Sequence, residues 1–144
     1  MARRPRELRR IAAALARRAA QCRLAAEILV SYLVARRAVA HAPLAAVLTG
    51  WREAGGSRGA GDPLLEACRL ARAVSRTLRL MPGDTRCLTR SLVLARLLTR
   101  RGIPSKLVIG ACTEPEFLAH AWVEHAGQPL LWPGDRSLAR LVEL

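Results

Sequence analysis

The spacing of apolar residues changes once along this chain, between Gly102 and Pro104, and that change limits what the chain can fold into. On the amino-terminal side the spacing is that of helices, with Leu88, Leu92 and Leu98 on one face. On the carboxyl-terminal side short segments carry the alternation of strands. Gly102 ends the last helix, and Pro104 prevents its resumption. The sequence therefore predicts an α+β fold, with a helical half packed on a small antiparallel sheet.

Length and charge narrow the class of protein. The chain has 144 residues, enough for one domain with a sizeable core. Its net charge of +13 favours acidic partners. No segment reaches the ~18 uninterrupted apolar residues of a membrane span, and the amino terminus lacks the apolar stretch and cleavage site of a secretory signal. None of the four cysteines is in a CxxC pair. We therefore expect a cytoplasmic protein with reduced thiols.

The amino-terminal part, residues 1–53, is predicted to be helical. Residues 6 to about 40 form one or two helices, in which an apolar stripe contains Leu8, Ile11, Leu15 and Ala19. The many arginines near the start indicate either a docking surface for an acidic partner or a solvated helix face. Nucleic acid is a poor partner for them, because no aromatic side chains interleave with the arginines as stacking platforms.

Residues 54–62 form a glycine-rich flexible loop, and a well-marked helix follows it. Asp62 and Pro63 predict its start, as an N-cap and the first helical residue. We expect its buried stripe to consist of Leu64, Cys68, Ala71, Val74 and Leu78. Cys68 and Cys22 are therefore both predicted to be core residues, packed as small hydrophobic side chains.

A cysteine opens the next helix, which we expect to be the central buried helix of the fold, packed on the small sheet. Either Asp84 or Thr85 can cap that helix, which places Cys87 in its first turn. Backbone N–H groups are still unpaired in the first turn of a helix, and they favour an anionic sulfur there. Arg86 and Arg90 flank the thiol with positive charge. Most cysteines at helix starts are not catalytic, so the position alone does not assign a role to Cys87, but these surroundings are the ones that a nucleophilic thiol needs.

Three strands are predicted after Pro104, over residues 106–111, 118–124 and 128–132. In the second strand His120, Trp122 and Glu124 share a face. His125 lies on the opposite face, beside the turn, and is expected to be solvated. The turn itself is predicted to be a three-residue loop with Gly127 in the left-handed conformation. An imidazole on such a strand can take a proton from a thiol and later return it to a leaving amine.

Several separate pieces of this second half form a pattern with a fixed order and spacing. They are Cys87-Leu88-Thr89-Arg90-Ser91-Leu92, Arg101-Gly102-Ile103-Pro104, Leu107-Val108-Ile109-Gly110, and Phe117-Leu118-Ala119-His120-Ala121-Trp122-Val123-Glu124 with Gly127. In these pieces the chain closely resembles the lasso-peptide leader peptidases, a bacterial branch of the transglutaminase-like cysteine-protease superfamily. The first half of the chain agrees with that family only in being helical and of the expected length.

The resemblance implies a single transglutaminase-like peptidase domain over residues 1–144, with its papain-like catalytic core over residues 63–144. Cys87 would be the nucleophile and His120 the general base of a Cys–His–Asp cysteine protease. The enzyme would remove the leader from a ribosomally made lasso-peptide precursor through a thioester on Cys87. No cofactor is expected.

The third residue of the catalytic group is open. Counting outward from the predicted turn places Trp132 opposite His120, and the family's aspartate falls at about that position. Tryptophan cannot accept a hydrogen bond from the imidazole. Asp135, three residues further on, is the nearest carboxylate and is the predicted third member. Glu124 shares the face of His120 but lies ~7 Å along the strand. A Cys–His dyad without a carboxylate is the remaining alternative.

The same resemblance implies partners, namely the precursor leader peptide, a small leader-recognition protein and a ring-closing amidotransferase-like enzyme. Two other functions stay open. The Cys–His scaffold could transfer acyl groups to amines, as transglutaminases do, or the chain could be a weakly catalytic scaffold that binds the precursor and its partner proteins. A metal site is disfavoured, because no common zinc spacing fits Cys87, Cys112, His120 and His125.

Overall fold

Helices precede strands in the computed structural model, which describes residues 4–57, 59, 61–80, 87–113, 116–131 and 138–144. The helices are α1 (Arg4–His41), α2 (Leu44–Glu53), α3 (Pro63–Arg79) and α4 (Cys87–Arg100), and the strands are β1 (Lys106–Cys112), β2 (Leu118–His125), β3 (Gln128–Pro129) and β4 (Ala139–Glu143). The predicted α+β class is confirmed. Within these described ranges no helix combines the length and apolar character needed to cross a membrane.

Helix α4 is the centre of the fold, because almost every residue after its first turn is buried. Its buried residues are Ser91, Leu92, Val93, Leu94, Ala95, Leu97 and Leu98. A helix that is buried nearly all round must be covered on several sides. Helices α1, α2 and α3 pack against it, and so do strands β1 and β2. The sequence prediction that this would be the central helix is confirmed.

The carboxyl end of α4 is closed at Gly102, as predicted. Gly102 has a φ of 62°, and its N–H donates to the Thr99 carbonyl at 3.0 Å. The N–H of Ile103 donates to the Leu98 carbonyl, also at 3.0 Å. These are the two hydrogen bonds of a Schellman motif, and the burial of both Ile103 and Leu98 supplies its usual apolar contact.

Arg101 links the end of α4 to two other helices. Its guanidinium donates to both carboxylate oxygens of Glu27 on α1, at 2.8 and 3.1 Å. Its Nε lies 3.5 Å from Glu66 on α3. A bidentate arginine–carboxylate pair has a defined geometry, so this residue fixes the positions of α1 and α3 where they cross the end of α4.

Helix α3 begins as predicted, but its buried stripe is displaced. Asp62 caps it, since Oδ1 accepts a hydrogen bond from the N–H of Leu64 at 2.9 Å. The buried residues are Ala67, Leu70, Ala71, Val74 and Leu78. Leu64 and Cys68 are only half-buried. Cys22 on α1 is exposed, so the prediction that Cys22 and Cys68 belong to the core is wrong.

The sheet is antiparallel throughout, with the order β3-β2-β1-β4. Leu107 of β1 pairs with Val123 of β2, and both belong to the core that the helices cover. The sequence pattern did not predict β4. This last strand pairs with β1, and the exchange of two 2.8 Å hydrogen bonds between Leu107 and Leu144 closes the pairing.

The hairpin between β2 and β3 differs from the prediction by one residue. His125 pairs with Gln128, which leaves a two-residue turn of Ala126 (φ 50°) and Gly127 (φ 78°). Two consecutive positive φ angles are typical of a type I′ turn. Strand β3 ends at Pro129, short of the predicted residue 132. The count that set Trp132 opposite His120 is therefore wrong, and Trp132 itself lies outside the described residues.

His125 is buried, which contradicts the prediction that it is solvated. Only 9% of its surface is exposed, and its Nδ1 lies 2.6 Å from the carbonyl oxygen of Pro104. Pro104 belongs to the segment between α4 and β1. His125 therefore joins the end of the hairpin to the point where the helical half of the chain ends.

Two glycine-to-alanine substitutions should change stability in opposite directions. Gly102→Ala places a side chain at positive φ and should lower the free energy of unfolding by about 1–2 kcal/mol. Gly50 lies inside α2, and an added Cβ there meets no atom within 4 Å. Gly50→Ala should raise the free energy of unfolding by about 0.8–1 kcal/mol. Urea midpoints measure both changes, and shifts in the same direction would contradict this account of the α4 terminus.

Candidate active site

Cys87 and His120, which are far apart in sequence, line the same cavity. Its volume is about 430 Å³, and its other lining residues are Ser75, Arg90, Ser91, Ala121, Leu130 and Leu131. A larger cavity of about 510 Å³ lies beside Asp62 and Arg101. The residues that line the larger cavity include no cysteine or histidine, so the smaller one is the candidate for nucleophilic chemistry.

The first turn of α4 presents Cys87 to this cavity. Cys87 is the first residue of the helix, and it is half-buried. The N–H groups of a first helical turn have no carbonyl partner within the helix. Arg90 lines the same cavity as Cys87, so a guanidinium group and the first turn of α4 both border the space that the thiol faces. The predicted cap residues Asp84 and Thr85 and the flanking Arg86 lie outside the described residues.

One hydrogen bond joins the cysteine helix to the histidine strand. Ser91 is completely buried, and its Oγ donates to the carbonyl oxygen of Ala121 at 2.9 Å. Ser91 lies one helical turn after Cys87, and Ala121 is the neighbour of His120. The hydrogen bond therefore sets the position of the thiol relative to the imidazole.

The Ala121 carbonyl needs this partner because strand pairing leaves it free. Two residues along β2, the Val123 carbonyl accepts a hydrogen bond from the N–H of Leu130, at 2.8 Å. Alternate carbonyls of a strand point to the same side, so the Ala121 carbonyl points past the end of β3. Sequence reasoning missed Ser91, although a serine within a buried run of leucines was a signal for such a contact.

His120 stands at the start of a row of side chains on one face of β2. Its ring stacks on that of Trp122, with 6.4 Å between centroids and 18° between planes. Trp122 Nε1 donates to Glu124 at 2.8 Å. Arg140 of β4 donates to both oxygens of Glu124, at 2.8 and 3.2 Å. A last strand that was not predicted thus helps to hold the ring on which the imidazole stacks.

The environment of His120 favours the neutral form of its imidazole. Burial lowers the pKa of His120 from its ordinary value of 6.5, because removing water disfavours the charged form. A neutral imidazole is the form that can accept a proton from a thiol. Within the described part of the chain, no side chain hydrogen-bonds to the His120 ring.

Of the two carboxylates predicted as a third member, Glu124 has other partners. Both of its oxygens accept hydrogen bonds from Trp122 or Arg140, and it is 6% exposed. In the described structure Glu124 accepts a hydrogen bond from Trp122, and His120 stacks on the ring of that tryptophan. Asp135 lies outside the described residues, so its role stays a prediction.

Cys112 lies at the end of β1, where its thiol faces the carbonyl of Glu116 at 4.0 Å. Among the described residues, no three His, Cys, Asp or Glu side chains are grouped in a way that could hold a metal ion.

A positively charged groove adjoins the Cys87 cavity. Its volume is about 420 Å³, and it shares Ser75 and Leu130 with the cavity. Arg69, Arg72 and Arg76 line it from one face of α3. Arg69 pairs with Glu66 at 3.4 Å, but no carboxylate in the described ranges forms an ion pair with Arg72 or Arg76. An extended peptide with acidic side chains would find complementary charge beside the thiol.

A family model described as the transglutaminase-like superfamily matches residues 28–143 of this chain. The match includes α4, all four described strands and therefore both Cys87 and His120. It begins at Ile28, the first fully buried residue of α1. No curated protein and no solved structure gives a match.

We predict that Ser91→Ala lowers the free energy of unfolding by about 1–3 kcal/mol, because it leaves the buried Ala121 carbonyl without a donor. Urea unfolding measures the loss. Ser75→Ala is the matched control: Ser75 lines the same cavity but makes no side-chain hydrogen bond within the described residues. Equal effects of the two substitutions would show that the Ser91 hydrogen bond does not stabilise the fold.

The lowered pKa of His120 predicts a loss of stability in acid. The unfolded chain takes up a proton on this histidine near pH 6.5, whereas the folded chain resists protonation until a lower pH. Acidification from pH 7.5 to 5.5 should therefore reduce the free energy of unfolding more for the wild type than for His120→Gln. Urea titrations at both pH values measure the difference. A larger loss in the variant would contradict the burial of the imidazole.

Proposed function

This chain belongs to the transglutaminase-like superfamily, and from that premise we propose that it is a cysteine peptidase. Members of the superfamily are commonly cysteine proteases or acyltransferases. The observation that carries the proposal is the shared cavity of Cys87 and His120, two half-buried residues whose elements are joined by the Ser91 hydrogen bond. Nucleophilic attack on a peptide carbonyl requires a nucleophile and a general base, and a thiol and a neutral imidazole in one cavity can supply both.

In the acylation step, His120 takes the proton of the Cys87 thiol as the sulfur attacks the scissile carbonyl carbon. The carbonyl oxygen becomes an oxyanion, and the backbone N–H of Cys87 is the proposed donor to it, since it belongs to the first turn of α4. As the tetrahedral intermediate collapses, His120 returns the proton to the departing amine. The carbon–nitrogen bond breaks, and the acyl part of the peptide remains on Cys87 as a thioester.

In the second step, water replaces the amine. His120 accepts a proton from the water while the hydroxide oxygen bonds to the thioester carbon. The carbon–sulfur bond then breaks, and Cys87 recovers its proton through the imidazolium. The products are two peptides, one ending in a carboxylate and the other beginning with an amine. A nucleophilic amine in place of water would give acyl transfer on the same residues, which is the rival function of this scaffold.

The substrate we propose is a ribosomally synthesised lasso-peptide precursor, cut at the junction of leader and core. The support for this finer assignment is the resemblance of the segments from Cys87 to Gly127. The groove formed by Arg69, Arg72 and Arg76 favours an acidic stretch in the bound peptide. We further propose that a small leader-recognition protein presents the precursor, and that a ring-closing amidotransferase-like enzyme takes the product.

The assay for this function contains the protein, a lasso-peptide precursor and a leader-recognition protein, and mass spectrometry identifies the products. A free leader and core, each formed by addition of water, would support the peptidase. When a primary amine is added, an amide-linked product in excess of the hydrolysed one would instead show acyl transfer. An uncleaved precursor that binds the folded protein would show a scaffold.

Replacement of either reactive residue should abolish cleavage. We expect Cys87→Ala and His120→Ala each to lower the single-turnover rate by about 10⁴-fold or more, and the double variant to be no slower, because the two residues act as one unit. Matched urea midpoints would show that the variants are folded. Cleavage by Cys87→Ala at the wild-type rate, or losses that add in the double variant, would contradict the mechanism.

The third member can be assigned by comparing two amide substitutions. We expect Asp135→Asn to lower kcat far more than it changes KM, because an asparagine amide favours the wrong tautomer of His120. Glu124→Gln should lower stability, since it removes the charge that pairs with Arg140, and should leave kcat nearly unchanged. Steady-state cleavage and urea unfolding separate the two effects. A silent Asp135→Asn beside a low kcat for Glu124→Gln would reverse the assignment.

A further inference from the structure

The outer face of α1 carries a row of large apolar side chains that nothing in the described structure covers. Leu8, Leu15, Cys22 and Leu29 follow one another at intervals of seven residues. Leu8 and Leu15 are 66% and 61% exposed, and Ile11, between them, is 57% exposed. At 1.5 Å per residue the row from Leu8 to Leu29 is about 31 Å long. We call this row the α1 stripe.

The α1 stripe lies on the opposite side of the helix from the residues that attach α1 to the core. Ile28 and Ala35 are fully buried, whereas every residue from 7 to 23 is exposed. The match to the family also begins only at Ile28. The first half of α1 therefore lies outside the matched segment, and packing on the described fold does not explain its apolar residues.

We propose that the α1 stripe binds an acidic amphipathic helix of a partner protein. Helices pack against one another through apolar residues that recur every seven positions on one face, and the α1 stripe supplies one such row. Helices in proteins gain most of their stability from packing of an apolar face against the rest of the structure. That packing is missing along residues 7–23, all of which are exposed. Alanines at positions 12, 19 and 26 accompany the stripe and leave room for a second helix to approach.

The charge beside the α1 stripe selects the partner. Residues 7–23 contain five arginines and one glutamate, all exposed. Two copies of this helix would place arginines against arginines, which is unfavourable in either direction of pairing. A partner helix with aspartate or glutamate beside its own apolar residues would complement them. The occupant is therefore a different protein, and not a second copy of this chain.

A membrane surface fits the α1 stripe less well. Amphipathic helices that lie in a membrane interface carry tryptophan, phenylalanine and leucine on the apolar face. The exposed positions of residues 7–33 include no aromatic side chain, because Tyr32 is buried. Arg18 lies at the edge of the stripe between Leu15 and Cys22, where it would meet lipid tails but could pair with a carboxylate of a helix.

The test uses a synthetic acidic peptide as the probe. The peptide has leucine at the two core positions of each heptad and glutamate at the flanking positions, and fluorescence anisotropy follows its binding to the full chain. We expect one peptide per chain, with binding weakened by salt. Leu15→Glu should weaken binding roughly tenfold or more, because it removes a leucine that the bound peptide would cover and adds a negative charge that repels the glutamates of the peptide. The control Leu65→Glu, at a 64% exposed leucine of α3, should not.

Other outcomes would overturn the proposal. Equal binding of a scrambled peptide with the same composition would show attraction by charge alone. Failure of the acidic peptide to bind would exclude the helical partner. Sedimentation of the wild type as a dimer that Leu15→Glu dissociates would assign the stripe to a second copy. A membrane role would be assigned if the wild type cosediments with phosphatidylserine vesicles but does not bind the peptide, and if Leu15→Glu no longer cosediments with the vesicles. None of these readouts depends on the proposed peptidase activity.

Discussion

The hydrogen bond from Ser91 to the Ala121 carbonyl is the contact on which the candidate site depends. Helix α4 packs on the sheet mainly through apolar side chains. Such packing resists separation of the helix from the sheet but specifies their relative position less sharply than a directional bond does. The buried Ser91 hydroxyl, which donates to one carbonyl of the strand, adds that specification. Because Cys87 lies one turn before this serine and His120 precedes the bonded alanine, the same contact places the two reactive groups on one cavity.

The Ala121 carbonyl is available because the two sides of β2 are paired over different lengths. On one side of β2, strand β1 pairs along the full length from Leu118 to Glu124. On the other side β3 is only two residues long, and the pairing ends soon after the hairpin. A longer third strand would have used the Ala121 carbonyl in its own ladder. Because β3 is short, this side of β2 is left unpaired near Ala121 and meets the first turns of α4. The cavity lies at that place.

Local signals in the sequence were sufficient for some features. The Asp62 cap, the Gly102 terminus and the helical position of Cys87 depend on neighbouring residues, and each was predicted. The turn after His125 was not, because alanine is unfavourable at positive φ and Gly127 alone indicated a three-residue loop. The twist of the paired strands favours a type I′ turn, which places Ala126 at φ 50°. His125, Ser91 and Arg140 escaped prediction because their partners lie 21, 30 and 16 residues away.

The reactivity of Cys87 toward iodoacetamide tests the central claim most directly, because it needs neither substrate nor partner. Peptide mass spectrometry reports the alkylation rate of each cysteine in the same sample. Accessibility alone would make the exposed Cys22 react faster than the half-buried Cys87. An imidazole that accepts the thiol proton reverses this order, so we predict that Cys87 reacts first at pH 7 and that His120→Asn slows it below Cys22. A Cys87 that reacts more slowly than Cys22 in the wild type, or that is indifferent to His120→Asn, would contradict the account.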